Sequence, residues 1–305
     1  MARILTVVFM VPVSLASSLE HLSAHDGGKS ITVAPDFRPG SRYGSDNRSL
    51  GETTLKLANL AGAIIAGFWL SASGIALAAN AFPGVTAAVS DPERPAVETA
   101  LDATRKPAEL IDFIGLKPGM TIVDIFPGPY WDRMFSNVVG PKGSVIAFDS
   151  VEMAKAENTA LPINGSAPMP GHLNIIAQSA PINAFALAKP VDVIWMRQNY
   201  HDLYDPFMGP ADVPAFNKAV FKALKSGGAY VIIDHSAPDG SGLAATNTTH
   251  RIDAAVVKKD MAAAGFTFVG ESAVLRNPAD ARDKPVFDKA IRGHTDQFVY
   301  LFRKP

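Results

Sequence analysis

The sequence predicts an α/β domain over residues 80–305, built on a doubly wound, mainly parallel sheet of seven strands with an antiparallel C-terminal strand. Two observations carry that prediction. Short apolar runs rich in Val, Ile and Phe alternate with segments of helical periodicity, an order that builds parallel sheets with right-handed crossovers. The last two runs, "FTFVGESAVL" and "QFVYLFR", have no long helical pattern between them, so they are expected to close the sheet as an antiparallel edge.

Taken in order, "ERPAVETALDATRKPAELIDFIGLKPGM" places Val97, Leu101, Thr104, Ala108 and Ile111 at helical spacing. Pro107 suits the first turn of a second short helix, and Gly115 its end. "TIVDIF" reads as a short buried strand, "YWDRMFSNVV" as a helical turn or two, and "GSVIAFD" as the second strand. "HLNIIAQ" and "VDVIWMR" follow as strands three and four. "PAFNKAVFKALKSGG" sets Phe216, Val220 and Leu224 on one face, has Pro214 in its first turn and stops at Gly227, which makes a helix feeding the strand "AYVIID". "HRIDAAVVKKDMAAAG" is a further helix, ended by Gly265. The chain has no internal repeat.

Upstream, Lys56 precedes "LANLAGAIIAGFWLSASGIALAAN", and no charge follows until Asp91. A basic start, an apolar centre and the small-x-small ending Ala76, Leu77, Ala78 describe a secretory signal peptide cut near Ala78 or Ala79. An uncleaved membrane helix is the alternative, because about 20 apolar residues span a bilayer. Residues 1–79, which hold a second apolar run, "RILTVVFMVPVSLASS", are therefore read as leader and signal peptide or membrane anchor. The expected location is exported and periplasmic, with membrane contact only through this segment if it stays uncleaved.

Of the 305 residues, 48% are hydrophobic and 19% charged, which excludes disorder across the whole chain. A net charge of −1, with Lys and Arg in no dense run, argues against a nucleic-acid partner. The absence of cysteine removes disulfides, thiolate catalysis and Cys-ligated metals. It suits an oxidising compartment.

Ligands of open α/β sheets bind beyond the carboxyl ends of the strands. Strand one ends in Asp124 and "FPGPYW", which contributes Phe126, Gly128 and Tyr130; strand two ends in Asp149. Strand four runs into "RQNYHD", with Arg197, Asn199, His201 and Asp202, and strand five ends in Asp234 and His235. Histidines oriented by carboxylates can take a proton near neutral pH. "HRID" adds His250, Arg251 and Asp253: Arg251 can grip a carboxylate or phosphate, while Asp253 at a helix start complements the dipole and His250 can simply cap. His294 and Asp296 lie further along.

Other chemistries find less support. No HExxH or other tight ligand spacing is present, so no metal ligand is assigned, and a metal-dependent hydrolase using His201, His235, His250 and nearby aspartates stands as a lesser alternative. The G-x-S-x-G elbow of serine hydrolases is missing, since "DGSG" has neither its spacing nor its setting. G-x-G-x-x-G, the dinucleotide signature, is also missing.

The segments "LKPGMTIVDIFPGPYWDRM", "GPKGSVIAFD", "RQNYHDLYD", "ALKSGGAYVIIDHSAPDGSG", "HRID", "AGFTFVGESAVLRNPAD" and "GHTDQFVYLFRKP", taken in order, resemble a class I S-adenosylmethionine-dependent methyltransferase of Rossmann-like fold. They are most similar to a family of predicted exported bacterial methyltransferases, whose first-strand motif resembles "EIWPGGGW". The resemblance covers nearly all of residues 105–305. It implies S-adenosylmethionine as cofactor, held by Asp124, Phe126, Gly128, Tyr130, Asp149, Arg197 and Asn199, with Asp149 receiving the ribose hydroxyls. It further implies methyl transfer to an oxygen or nitrogen of a small-molecule or cell-envelope substrate. On that side stand His201 as first choice of base, with Asp202, His235, His250 and Arg251. Pro129 and Tyr130 occupy two glycine positions of the family motif, and proline lacks an N–H. The rival reading is therefore a catalytically inactive or repurposed fold that binds a small molecule.

Overall fold

The computed structural model describes residues 83–209 and 211–305; the leader and signal segment expected over residues 1–79 lie outside them. Among the described residues no helix is long and apolar enough to cross a membrane.

Seven strands form one sheet: β1 (Thr121–Ile125), β2 (Ser144–Ser150), β3 (Ile175–Ala180), β4 (Val191–Arg197), β5 (Leu224–His235), β6 (Thr267–Ser272) and β7 (Gln297–Arg303). Their spatial order is β3-β2-β1-β4-β5-β7-β6, parallel from β3 to β5, with β7 antiparallel to both neighbours. The doubly wound, mainly parallel architecture expected from the sequence is present. The closing pair forms the antiparallel edge expected of it, with β6 at the rim and, between it and β5, the inserted strand β7. That position buries it: every residue of "QFVYLF" is buried, whereas β6 at the rim is largely exposed.

Helices cover both faces. Here α1 (Pro83–Val89), α4 (Pro107–Ile114) and α5 (Pro129–Val139) pack on one side, where Leu110, Ile111, Trp131, Phe135 and Trp195 share a cluster. On the other, α7 (Val213–Ala223) and α9 (Ala254–Ala264) meet Phe216, Val220, Val257, Met261 and Phe266. Smaller helices complete the set: α2 (Ala96–Thr99), α3 (Asp102–Arg105), α6 (Val151–Ala156) and α8 (Thr246–Thr249).

Two helical expectations are corrected. The stripe begun by Val97 and Leu101 is not a core face: Val97 is 77% exposed and the segment breaks into α2 and α3. The break between them falls at Ala100 and Leu101, and a second comes at Lys106, which turns left-handed before Pro107 starts α4, since right-handed helical geometry is disfavoured for a residue preceding proline. Helix α7 stops at Ala223, not at Gly227, and Leu224 opens β5. Leu224 is fully buried in either case, which is why the helical pattern ran through it.

Candidate active site

The strand order reverses between β1 and β4, both of which exit at the same lip of the sheet. The first residue after each strand is left-handed although neither is glycine: Phe126 at φ 59° and Gln198 at φ 62°. Such conformations cost on the order of 1–3 kcal/mol each and persist only where the surroundings impose them. Here the neighbouring strand imposes them. The Phe126 N–H donates to the Phe148 carbonyl at 2.8 Å and the Gln198 N–H to the Ile233 carbonyl at 2.6 Å. Both chains are thereby thrown off the sheet at the switch point, where open α/β sheets carry their ligands.

On the β1 side, Gly128 is extended (φ −146°) at the N-cap of α5, and Pro129 occupies N1. A proline there gives up an N–H that has no partner within a helix, so its replacement of glycine does not disturb the turn. Nothing lies within 4 Å of the position a Gly128 Cβ would take. Tyr130 does not project into this space. Its hydroxyl donates to Asp102 at 2.6 Å and its ring lies under the Arg105 guanidinium at 4.4 Å, so its assignment as a cofactor contact is corrected: it pins α3 onto α5. Phe126 is likewise a core residue, shaping the turn through its backbone.

Asp124, at the end of β1, is buried and hydrogen-bonded to Asp132 in the first turn of α5. Burial pushes the Asp132 carboxyl up to about 7, against the pull of that bond. Burial thus favours the protonated form of Asp132 beside the Asp124 carboxyl. The second Asp132 oxygen, Oδ1, is buried with no donor among the described residues. Arg197 leans toward Trp131, 5.9 Å from its ring, and its Nη1 donates to Gln198 Oε1 at 2.6 Å. Burial, reinforced by the like charge of Arg105, lowers its guanidinium to about 9. Asp149, at the end of β2, lines a cavity of about 250 Å³ together with Pro127, Ala147, Glu157, Thr159 and Ala177.

Beyond β4 and β5 the histidines gather. His201 is buried with both ring nitrogens engaged: Nδ1 lies 2.9 Å from Asp234 Oδ1, and Nε2 lies 3.2 Å from Asp202 Oδ1. Its backbone N–H also donates to Asp234 Oδ2 at 2.8 Å. Burial alone would lower this imidazole's pKa, but the two carboxylates outweigh it and raise it well above the usual value. The same pairing holds Asp202 far below the carboxylate range despite its burial. With Asp234 on one ring nitrogen and Asp202 beside the other, His201 has no ring nitrogen turned to an acceptor, which counts against its choice from sequence as the base.

His250 Nδ1 stands 3.4 Å from His201 Nε2, and its ring packs edge-on against Phe287. Asn199 Nδ2 donates to Asp202 Oδ2 at 2.7 Å, so it orients this carboxylate rather than facing the β1 turn. His235 is the opposite of His201. Its Nδ1 meets Thr295 Oγ1 at 2.7 Å, and burial together with the positive charges of His201, Arg197 and Arg251 holds its pKa well below the ordinary value.

Arg251 and Asp253 leave the site. The Arg251 side chain is fully buried and donates to the carbonyls of Lys284 and Ser236 and, through both terminal nitrogens, to Asp280. It secures the loop before β7 and has no exposed surface for an acceptor. Asp253 caps α9 through Ala255 N and accepts from Gly240 and Gly242, while His250 ends α8 in a left-handed conformation. His294 is exposed, and Asp296 pairs with Arg276 and Arg282. The sequence reading missed Asp132, whose only signal was an acidic residue in the first turn of the helix after β1, and gave Asp234 no role.

No family model matches this chain, and no curated protein matches it. Among solved structures it is similar to an S-adenosylmethionine-dependent methyltransferase from Aquifex aeolicus, at 20% identity over 67% of this chain and 98% of that one, with a TM-score of 0.44. A second, from Mesorhizobium loti, is 16% identical over 67% of this chain and 99% of that one, with a TM-score of 0.43. A third, described as a putative sarcosine dimethylglycine methyltransferase from Galdieria sulphuraria, is 12% identical over 70% and 89%, with a TM-score of 0.45. The fold described above rests on the strand order and register; the first two of these solved structures are described as S-adenosylmethionine-dependent methyltransferases.

Proposed function

We propose that this chain binds S-adenosylmethionine at the β1–β2 end of the cleft and transfers its methyl group to an oxygen or nitrogen acceptor near β4 and β5. The observation that carries the reading is the cavity at the strand ends with Asp149 on its wall. A carboxylate there suits a vicinal diol, because it accepts two hydrogen bonds. The remaining residues fit the cofactor's other end. Gly128 leaves open space beside the backbone, and the donorless Asp132 oxygen suits an ammonium group.

When bound, the cofactor supplies an electrophilic methyl on a sulfonium. The chain's own contribution is mainly to hold the reactants in line. Asp149 would fix the ribose, and the Asp124–Asp132 pair would hold the amino-acid end. His235, its Nδ1 held by Thr295 Oγ1, is the ring that would stand nearest to receive the acceptor's proton. Export through the segment from Lys56 to Ala79 belongs to the same proposal, and N-terminal sequencing of protein recovered from the cell envelope tests it.

The test of the function is calorimetric titration of S-adenosylmethionine, and of its demethylated product, into the purified protein. Micromolar binding of either supports the reading. A folded protein that binds neither overturns it in favour of a repurposed small-molecule binding fold.

A further inference from the structure

Beyond β4, three side-chain atoms from two separate segments converge: His201 Nε2, Asp202 Oδ1 and His250 Nδ1. Their separations are 3.2 Å from His201 to Asp202, 3.4 Å from His201 to His250, and 3.9 Å from His250 to Asp202. The centre of a circle through atoms so spaced lies inside the triangle and about 2.0 Å from each, the bond length of zinc to imidazole nitrogen or carboxylate oxygen, about 2.0–2.2 Å. The His201–His250 approach is long for a hydrogen bond.

The groups behind these three atoms are arranged as metal ligands require. His201 presents Nε2 because its Nδ1 is held by Asp234, itself fully buried at the end of β5; a carboxylate behind a ligating histidine fixes its tautomer and ring orientation. Asp202 presents Oδ1 because Asn199 holds Oδ2. His250 is delivered by the left-handed turn that ends α8. The His201 and Asp202 side chains are nearly buried, whereas that of His250 is 25% exposed, so a further ligand reaches the centre from the His250 side.

We propose that His201, Asp202 and His250 form a binding site for one divalent transition-metal ion, with zinc the first candidate. Two histidines and a carboxylate, with one position left for an outside ligand, make a donor set of borderline softness that zinc, cobalt(II) or iron(II) accept and that magnesium and calcium do not favour. The site does not depend on methyl transfer: metal uptake without S-adenosylmethionine binding would leave it standing, and the converse holds for the cofactor.

The test uses the full-length protein, stripped with chelator, titrated with Zn²⁺ by calorimetry and separately with Co²⁺ followed by its visible spectrum. The expected result is one equivalent of Zn²⁺ bound at micromolar or tighter affinity, weakened at least tenfold in His250→Ala. Bound Co²⁺ should show the stronger absorption of four- or five-coordinate metal. Either of two results overturns the proposal: no stoichiometric binding with a Co²⁺ spectrum like that of the free ion, or binding undiminished in a folded His250→Ala variant, which would place the metal elsewhere. The Co²⁺ spectrum of the unaltered protein decides the matter if the variant does not fold.

Discussion

At the scale of single residues, the site is governed by how burial divides protons among neighbouring groups. Asp132 shows this most directly, because its carboxyl titrates near 7 in the folded chain and near its ordinary value unfolded. Folded protein then holds the proton more tightly, so this residue contributes stability at low pH that is lost as pH rises from about 4 to about 7. Asp132→Asn is expected to remove that part of the decline, seen by comparing denaturant midpoints at pH 4.5 and 7. Asp149→Ala should weaken S-adenosylmethionine binding by roughly 10- to 100-fold with the fold intact, since hydrogen bonds to a charged group contribute about 1.5–3 kcal/mol; unchanged affinity in calorimetry would remove Asp149 from the ribose role. Arg251 acts on stability instead. Its replacement by Leu leaves the Asp280 carboxylate buried without its partner, at an expected cost of about 3–5 kcal/mol in equilibrium unfolding.

At the scale of elements, the two turns that flank α5 call for glycine for different reasons. Gly143, in the turn into β2, has no room for a side chain: a Cβ would come within 2.5 Å of the Val139 Cβ and 2.6 Å of the Met120 carbonyl oxygen. Gly143→Ala must therefore shift α5 against β2, and should destabilise by about 1–3 kcal/mol in denaturant titration. Gly128 has open space and an ordinary extended backbone. Gly128→Ala should leave stability near that of the parent while lowering cofactor affinity, so the pair separates packing from binding within one helix. The strained exits of β1 and β4 also belong to this scale, since each is held by a hydrogen bond from the adjacent strand.

For the whole molecule, the sheet distributes stability unevenly. Strands β1, β4 and β5 have strands on both sides and helices on both faces, while β3 and β6 are edges. Hydrogen exchange is expected to be slowest for the amides of Ile122–Ile125, Val193–Met196 and Val231–Ile233, and fastest along β6, whose residues are mostly exposed. Protection of β6 equal to that of β1 would contradict this picture.

The sequence by itself determined the α/β class, the parallel run of strands and the acidic or histidine residue that closes most of them, because apolar periodicity and strand-end chemistry are local. It also placed Asp124, Asp149, His201 and His235 at or just beyond the carboxyl ends of the parallel strands, since strand polarity alone decides on which rim such residues lie. Only the tertiary structure decided what each group does there. Tyr130 could be read as an obstruction until Asp102 and Arg105 drew it away, and Arg251 as a substrate clamp until Asp280, distant in sequence, enclosed it. His201 could be read as a base until Asp234 closed on its second nitrogen. The protonation and free valence of a buried group depend on partners folded against it from remote segments, and spacing along the chain carries no record of them.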